Sequence, residues 1–178
     1  MSGPAVFLDR DGVINRPVIR DGRPYPPASM AELEILPGVP DALQRLKAAG
    51  LALVVVTNQP DVARGVTPRE VVESLNAALA RQLPIDEFRV CYHDDADDCA
   101  CRKPRPGLLV QPPVYDLRRS VMVGDRWRDI EAGRNAGVSA TVLVSAGHDE
   151  RCDGEPDLRA ESLAHAVPWI LTVVTRTA

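Results

Sequence analysis

Short apolar runs alternate with amphipathic stretches along most of the chain. Ala5-Val6-Phe7-Leu8, Leu51–Val56, Arg89–Tyr92, Val121-Met122-Val123 and Thr141–Val144 are brief, mostly rich in valine, and bounded by Asp, Gly, Asn or Pro. Runs of that kind suit strands that are covered on both faces, and they predict five parallel strands. Between the first two, Val39, Leu43, Leu46 and Ala49 recur at helical spacing after Pro37-Gly38, and Gly50 supplies a stop. A second helix is predicted from Thr67-Pro68-Arg69-Glu70, with the threonine hydroxyl as cap and Val71, Leu75 and Leu79 as the buried stripe. Asp125–Ala136 reads as a shorter helix ending at Gly137, and Ala160–Ile170 as a terminal helix broken or bent at Pro168. This alternation implies right-handed crossovers and an α/β fold, a doubly wound, Rossmann-like parallel sheet. The segment from Asp9 to Gly38 carries Pro17, Pro24, Pro26 and Pro27 and reads as an ordered surface loop. Pro112-Pro113 interrupts the helix expected after Lys103.

In open α/β sheets, ligands bind beyond the carboxyl ends of the strands, so the residues that follow each run carry the functional information. They are Asp9-Arg10-Asp11-Gly12, then Thr57-Asn58-Gln59, then Arg102-Lys103-Pro104 after a cysteine-rich loop, then Gly124-Asp125 with Asp129. Carboxylate, hydroxyl, ammonium and carboxylate at neighbouring strand ends suit phosphoryl transfer. One carboxylate attacks phosphorus, a divalent cation offsets the meeting of two anions, and lysine with hydroxyl donors covers the equatorial oxygens. A second carboxylate two residues on, Asp11, is spaced to act as acid and then base.

Length and composition narrow the remaining classes. With 178 residues, 45% hydrophobic and 26% charged, the chain is expected to fold as one domain, residues 1–178, and not to be disordered. No apolar run approaches the length that spans a bilayer, and the N-terminus lacks a basic-then-apolar leader, so a cytoplasmic location is expected. A net charge of −4 disfavours a nucleic-acid partner. Lys47 and Lys103 are the only lysines, so Lys103 calls for a specific explanation. Cys91, His93, Cys99 and Cys101 offer three thiolates and an imidazole, a closed tetrahedral set for a structural Zn²⁺. Free buried thiols are one competing reading. An oxygen-ligand site at Asp94, Asp95, Asp97 and Asp98 is the other, although these acids read better as a solvated turn. Cys152 and His148 receive no role.

Phe7-Leu8-Asp9-Arg10-Asp11-Gly12-Val13-Ile14-Asn15, Val56-Thr57-Asn58-Gln59, Cys101-Arg102-Lys103-Pro104 and Val123-Gly124-Asp125-Arg126-Trp127-Arg128-Asp129 resemble, in order, the four motifs of the haloacid dehalogenase superfamily. The resemblance covers roughly residues 5–145. The Asn-Gln pair and the Cys-x-His and Cys-x-Cys loop are similar to subfamily IIIA, the group of heptose-bisphosphate and histidinol phosphatases. It implies a Mg²⁺-dependent phosphomonoester hydrolase working through an aspartyl phosphate, without a separate cap domain. Asp9 would be nucleophile and Mg²⁺ ligand, and Asp11 the acid/base that gives its backbone carbonyl to the metal. Thr57 and Lys103 would bind the phosphoryl group, Asp125 would complete the metal site and Asp129 would support its water shell. Asn58, Gln59, Arg64 and Arg102 are expected to bind substrate. Arg16, Arg20, Arg23, Arg64, Arg102, Arg105 and Arg128 lie near motif ends, which suggests a second anionic group on a small phosphorylated metabolite. The resemblance points to a heptose 1,7-bisphosphate losing its 7-phosphate, with histidinol phosphate as the alternative and a monomer as the working state. Readings from another class are an inactive zinc-bound scaffold and a receiver-like phospho-acceptor. Pro60-Asp61 departs from the Ser-Gly common in this group.

Overall fold

The computed structural model describes residues 3–144 and 154–176; His148 and Cys152 lie outside them. The elements run β1 (Ala5–Leu8), β2 (Val18–Arg20), β3 (Arg23–Tyr25), α1 (Val39–Ala48), β4 (Ala52–Asn58), α2 (Arg69–Gln82) and β5 (Glu87–Cys91). There follow α3 (Gly107–Val110), β6 (Val121–Gly124), α4 (Trp127–Ala136), β7 (Ala140–Val144), β8 (Leu158–Ala160) and α5 (Leu163–Arg176). Six strands form one sheet in the order β5-β4-β1-β6-β7-β8, every neighbouring pair parallel. The order reverses at β1, which lies between β4 and β6, so the residues after those three strands meet in the crevice at the switch point.

All four residues of β1 are buried, as a strand covered on both faces must be. Val6 and Leu8 face a core shared with Leu43 and Leu46 of α1 and Val167 and Ile170 of α5. Ala5 and Phe7 face the other, with Leu108 and Leu109 of α3 and Ala132 of α4. The described residues form no separate cap over the crevice. None of the described helices is long and apolar enough to cross a membrane.

Four local expectations need correction. A sixth strand, β8, occupies the start of the predicted terminal helix. Leu158 and Ala160 pair with Val142 and Val144, and the Asp157 carboxylate accepts hydrogen bonds from Thr141 N at 2.8 Å and its Oγ1 at 3.0 Å. Helix α5 then continues through Pro168 to Arg176. Burial of Leu163, Ala166, Val167, Ile170 and Val174 outweighs the one backbone hydrogen bond that the proline removes. In α2, Pro68 is the cap residue and Thr67 makes no capping bond, so the buried face centres on Val72, Leu75, Asn76 and Leu79 instead of Val71. Finally, the proline-rich segment contains an antiparallel hairpin, β2 with β3, turned by Asp21 and Gly22, whose φ angles are 49° and 71°. The expected interruption at Pro112 is present, since α3 stops at Val110.

Candidate active site

The predicted residues Asp9, Thr57, Asn58, Lys103, Asp125 and Asp129 converge beyond β1, β4 and β6. Lys103 is only 3% exposed, and its Nζ donates to Asp9 Oδ1 at 2.7 Å, Asp129 Oδ1 at 2.6 Å and the Val56 carbonyl at 2.8 Å. Its backbone is held by a reciprocal pair with Asn58: Lys103 N donates to Asn58 Oδ1 and Asn58 Nδ2 donates to the Lys103 carbonyl, both at 3.1 Å. Thr57, 1% exposed, follows Val56 on the same strand. Asp9 continues the β1 ladder through its N–H to the Val123 carbonyl at 2.9 Å.

Asp129 reaches the crevice from the first turn of α4, and Gly124 makes this possible. A Cβ at position 124 would lie 2.1 Å from the Asp129 Cβ and 2.4 Å from its Oδ2, so any side chain there would push the helix start away. The second oxygen of Asp129 accepts from the Arg126 N–H at 3.0 Å. Both of its oxygens therefore already serve protein donors.

Asp9, Asp125 and Asp129 each offer a carboxylate oxygen within 4.8 Å of the others, and Asp125 Oδ1 is buried without a hydrogen-bond partner. Burial raises the Asp9 carboxyl to about 6 against the opposing pull of Lys103, with Asp129 and Asp11 adding repulsion. Burial followed by repulsion from Asp9 and Asp129 raises Asp125 to about 9. Burial also opposes the charge on Lys103, but Asp129 and Asp9 outweigh it and hold the ammonium above its ordinary range. Three carboxylates against one ammonium, with one oxygen orphaned, fit a hard divalent cation with oxygen ligands.

Asp11 also lines the cavity, but its carboxyl is not in that trio. It accepts from Arg10 Nε at 3.2 Å and Nη2 at 3.1 Å, from Asn15 Nδ2 at 3.0 Å and from Gln59 Nε2 at 2.8 Å. Gln59 also donates to Thr57 Oγ1 at 2.9 Å, so it joins these two groups from behind and does not line the cavity. Arg10 is buried and donates through Nη1 to Asn76 Oδ1 of α2 at 2.9 Å. The sequence reading missed Arg10, Asn15 and Asn76. A polar Asn76 within the buried stripe of α2 was the available signal.

The cysteine-histidine loop lies beside Lys103. Cys91 Sγ is 3.7 Å from His93 Nδ1, 3.7 Å from Cys99 Sγ and 3.2 Å from Cys101 Sγ, and the last lies 3.3 Å from His93 Nδ1 and 3.5 Å from Cys99 Sγ. A tetrahedron of zinc–sulfur bonds has edges of roughly 3.8 Å, and zinc–nitrogen edges are slightly shorter. The four residues therefore fit a tetrahedral thiophilic ion. Burial pushes the Cys91 thiol up. Burial also opposes ionisation of Cys99, yet hydrogen bonds from Cys101, Cys91 and the backbone bring that thiol down to about 7.

The acidic patch in this loop is the exposed turn that the sequence predicts, a single 3-10 turn over Asp95–Asp97, and its carboxylates also hold arginines and backbone donors. Asp94 holds Arg64 at 2.6 and 2.8 Å, Asp95 holds Arg102 at 2.7 and 3.2 Å, Asp97 accepts from the Asp94 N–H, and Asp98 pairs with Arg105. Arg16 and Arg20 pair instead with Glu34 and Glu32. Of the seven arginines near motif ends, Arg64, Arg102 and Arg128 line the cavity, whose volume is about 310 Å³. Asn58, Pro60, Asp61, Arg126 and the hairpin's Pro24 and Tyr25 complete much of its wall.

Comparisons with known proteins agree with this geometry. Residues 25–137 match the haloacid dehalogenase-like hydrolases. A D-glycero-beta-D-manno-heptose-1,7-bisphosphate 7-phosphatase of Yersinia pestis is 36% identical over 96% of this chain and 90% of its own length. A D-glycero-alpha-D-manno-heptose-1,7-bisphosphate 7-phosphatase of Mycobacterium tuberculosis is 39% identical over 79% of this chain and 76% of its own. The crystal structure of a D,D-heptose 1,7-bisphosphate phosphatase from B. bronchiseptica with magnesium and phosphate superposes with a TM-score of 0.78 at 31% identity, covering 95% of this chain and 98% of that one. With a family model matching more than half of its residues and relatives at 36% and 39% identity over most of its length, the chain belongs to the haloacid dehalogenase-like hydrolases.

Proposed function

We propose that this protein is a Mg²⁺-dependent phosphomonoester hydrolase that removes the 7-phosphate of D-glycero-D-manno-heptose 1,7-bisphosphate. The observation that carries the reading is the buried Asp9, Lys103 and Asp125 cluster, in a chain alike over most of its length to phosphatases of that name. Asp9 and Asp125, with the Asp11 carbonyl, would hold Mg²⁺, and Asp129 would act on its water shell. Bound there, the ion would neutralise charge on the nucleophile and on the phosphoryl oxygens.

The chain's own groups account for the rest. Lys103 and Thr57 hold the phosphoryl oxygens, while Asp9 attacks phosphorus and the phosphorus–oxygen bond to the sugar breaks. Asp11 gives its proton to the departing sugar oxygen. Asp11 then takes a proton from water, whose oxygen attacks phosphorus, and the bond from Asp9 to phosphorus breaks to free phosphate and restore the carboxylate. Asn58 and Gln59 position Lys103, Thr57 and Asp11, and Arg64 and Arg102, both held by acids of the cysteine-histidine loop, add positive charge to the cavity wall that the substrate enters. Cys91, His93, Cys99 and Cys101 hold a structural Zn²⁺ that fixes the chain leading to Lys103. Cysteines that serve as zinc ligands and form no disulfide suit a reducing, cytoplasmic setting. The chain works as a single domain, residues 1–178, and as a monomer on a small metabolite, with no nucleic-acid or membrane partner.

The test is phosphate release with Mg²⁺ from both anomers of the heptose bisphosphate, from histidinol phosphate and from p-nitrophenyl phosphate, for the native protein and Asp9→Asn. Release that is fastest on a heptose bisphosphate and absent in the variant is expected. Faster release from histidinol phosphate would overturn the substrate, and activity retained by Asp9→Asn would overturn the mechanism.

A further inference from the structure

The cations around the cavity differ in how far the protein has already neutralised them. Lys103 is shared between Asp9 and Asp129, Arg64 between Asp94 and Asp61, and Arg102 is held by Asp95. Arg126 stands 3.5 Å from an oxygen of Asp125. Arg128 is exposed, with no carboxylate at ion-pair distance among the described residues. Its guanidinium packs over the Trp127 ring, 5.1 Å from the centroid, which limits its wandering without using its N–H donors.

Its placement gives that free charge a direction. Arg128 precedes Asp129 in the first turn of α4, so its backbone is fixed by the same turn that delivers Asp129 to Lys103. Its charge also acts on Asp95, on the zinc-loop rim where Arg102 is bound. Arg102 and Arg128 both line the cavity, and of the two only Arg102 is held by Asp95 at ion-pair distance. Tyr25 of the hairpin, 37% exposed, lines the same cavity of about 310 Å³ as Arg128.

We infer that Arg128 is a specificity-determining residue, binding a second phosphate on the substrate at the rim while the first lies at Asp9 and Lys103. This rests on the phosphatase reading above and adds to it the residue that selects a bisphosphate over a monophosphate. A guanidinium presents parallel N–H donors that match a phosphate in two-point contact. Arg64 and Arg102 already spend theirs on Asp94 and Asp95, so Arg128 can gain such a bond without breaking an ion pair first.

The experiment compares kcat/KM for heptose 1,7-bisphosphate and heptose 7-phosphate in the native protein, Arg128→Gln and Arg128→Lys. The native protein is expected to prefer the bisphosphate. In Arg128→Gln that preference falls by about tenfold or more through KM, in line with loss of a charge-assisted contact, and Arg128→Lys recovers part of it. If the native protein prefers the bisphosphate and Arg128→Gln keeps that preference within about twofold, the assignment of Arg128 fails and the phosphatase reading stands. If the native protein shows no preference for the bisphosphate, the second-phosphate reading falls and Arg128 with it. Parallel loss on both substrates would mark Arg128 as structural and would also overturn the inference.

Discussion

Lys103 occupies a position that the chain's many arginines do not fill, and its contacts explain why. Three acceptors, Asp9, Asp129 and the Val56 carbonyl, converge on one nitrogen within 2.8 Å in a space with almost no solvent. A compact ammonium satisfies all three, whereas a planar guanidinium is wider and spreads its donors. Lys103→Met would leave Asp9 and Asp129 buried without their counter-charge, the case in which breaking a buried pair costs about 3 to 5 kcal/mol. The expected result in urea unfolding is a loss of that order without Mg²⁺, partly recovered on adding it, together with loss of phosphatase activity. Unchanged stability in Mg²⁺-free buffer would show that the two carboxylates do not depend on Lys103.

At the level of elements, two junctions position the site, and each can be tested. The first is the turn from β6 to α4, where Gly124 leaves room for Asp129. Gly124→Ala is expected to lose roughly 2 kcal/mol or more, because the added carbon meets a buried side chain that is itself pinned by Lys103 and the Arg126 N–H. A thermal melt would detect this, and a shift within experimental error would show that the helix start yields freely. The second is the zinc loop, since Cys101 stands two residues before Lys103. Cys101→Ser is expected to lose bound zinc by elemental analysis and to lower kcat on an aryl phosphate by about tenfold or more; full activity without zinc would separate the loop from catalysis. Sequence reading found the elements at these junctions because their signals are local: valine-rich runs, polar residues just after them, and Gly137 ending α4 with φ of 78°. It missed β8 because three residues carry little periodicity, and the hairpin because its prolines masked the Asp21-Gly22 turn. It also missed the line from Asp11 through Arg10 to Asn76, whose ends lie on β1's loop and on α2 and are joined only by folding.

Across the whole molecule, folding gathers carboxylates that the unfolded chain keeps apart, and this ties stability to pH and to the metal. In the unfolded chain Asp9 and Asp125 titrate near 3.8, but in the metal-free fold they are raised to about 6 and about 9. Between those limits the native state binds more protons than the unfolded one. The unfolding free energy changes with pH as the protons bound by the unfolded state minus those bound by the native state, so its slope here is negative. The contribution is fully present below about pH 4 and is lost as pH rises through the two folded values. Mg²⁺ binds the ionised carboxylates, displaces their protons and so stabilises the fold more at high pH than at low. Zinc-loaded protein dialysed free of magnesium is therefore expected to melt at a falling temperature from pH 5 to pH 9. Added Mg²⁺ should raise the midpoint more at pH 8 than at pH 6, with proton release measurable by calorimetry in buffers of different ionisation enthalpy. A midpoint that rises with pH in the metal-free protein, or an equal Mg²⁺ effect at both values, would mean that Asp9 and Asp125 are already ionised before the metal arrives.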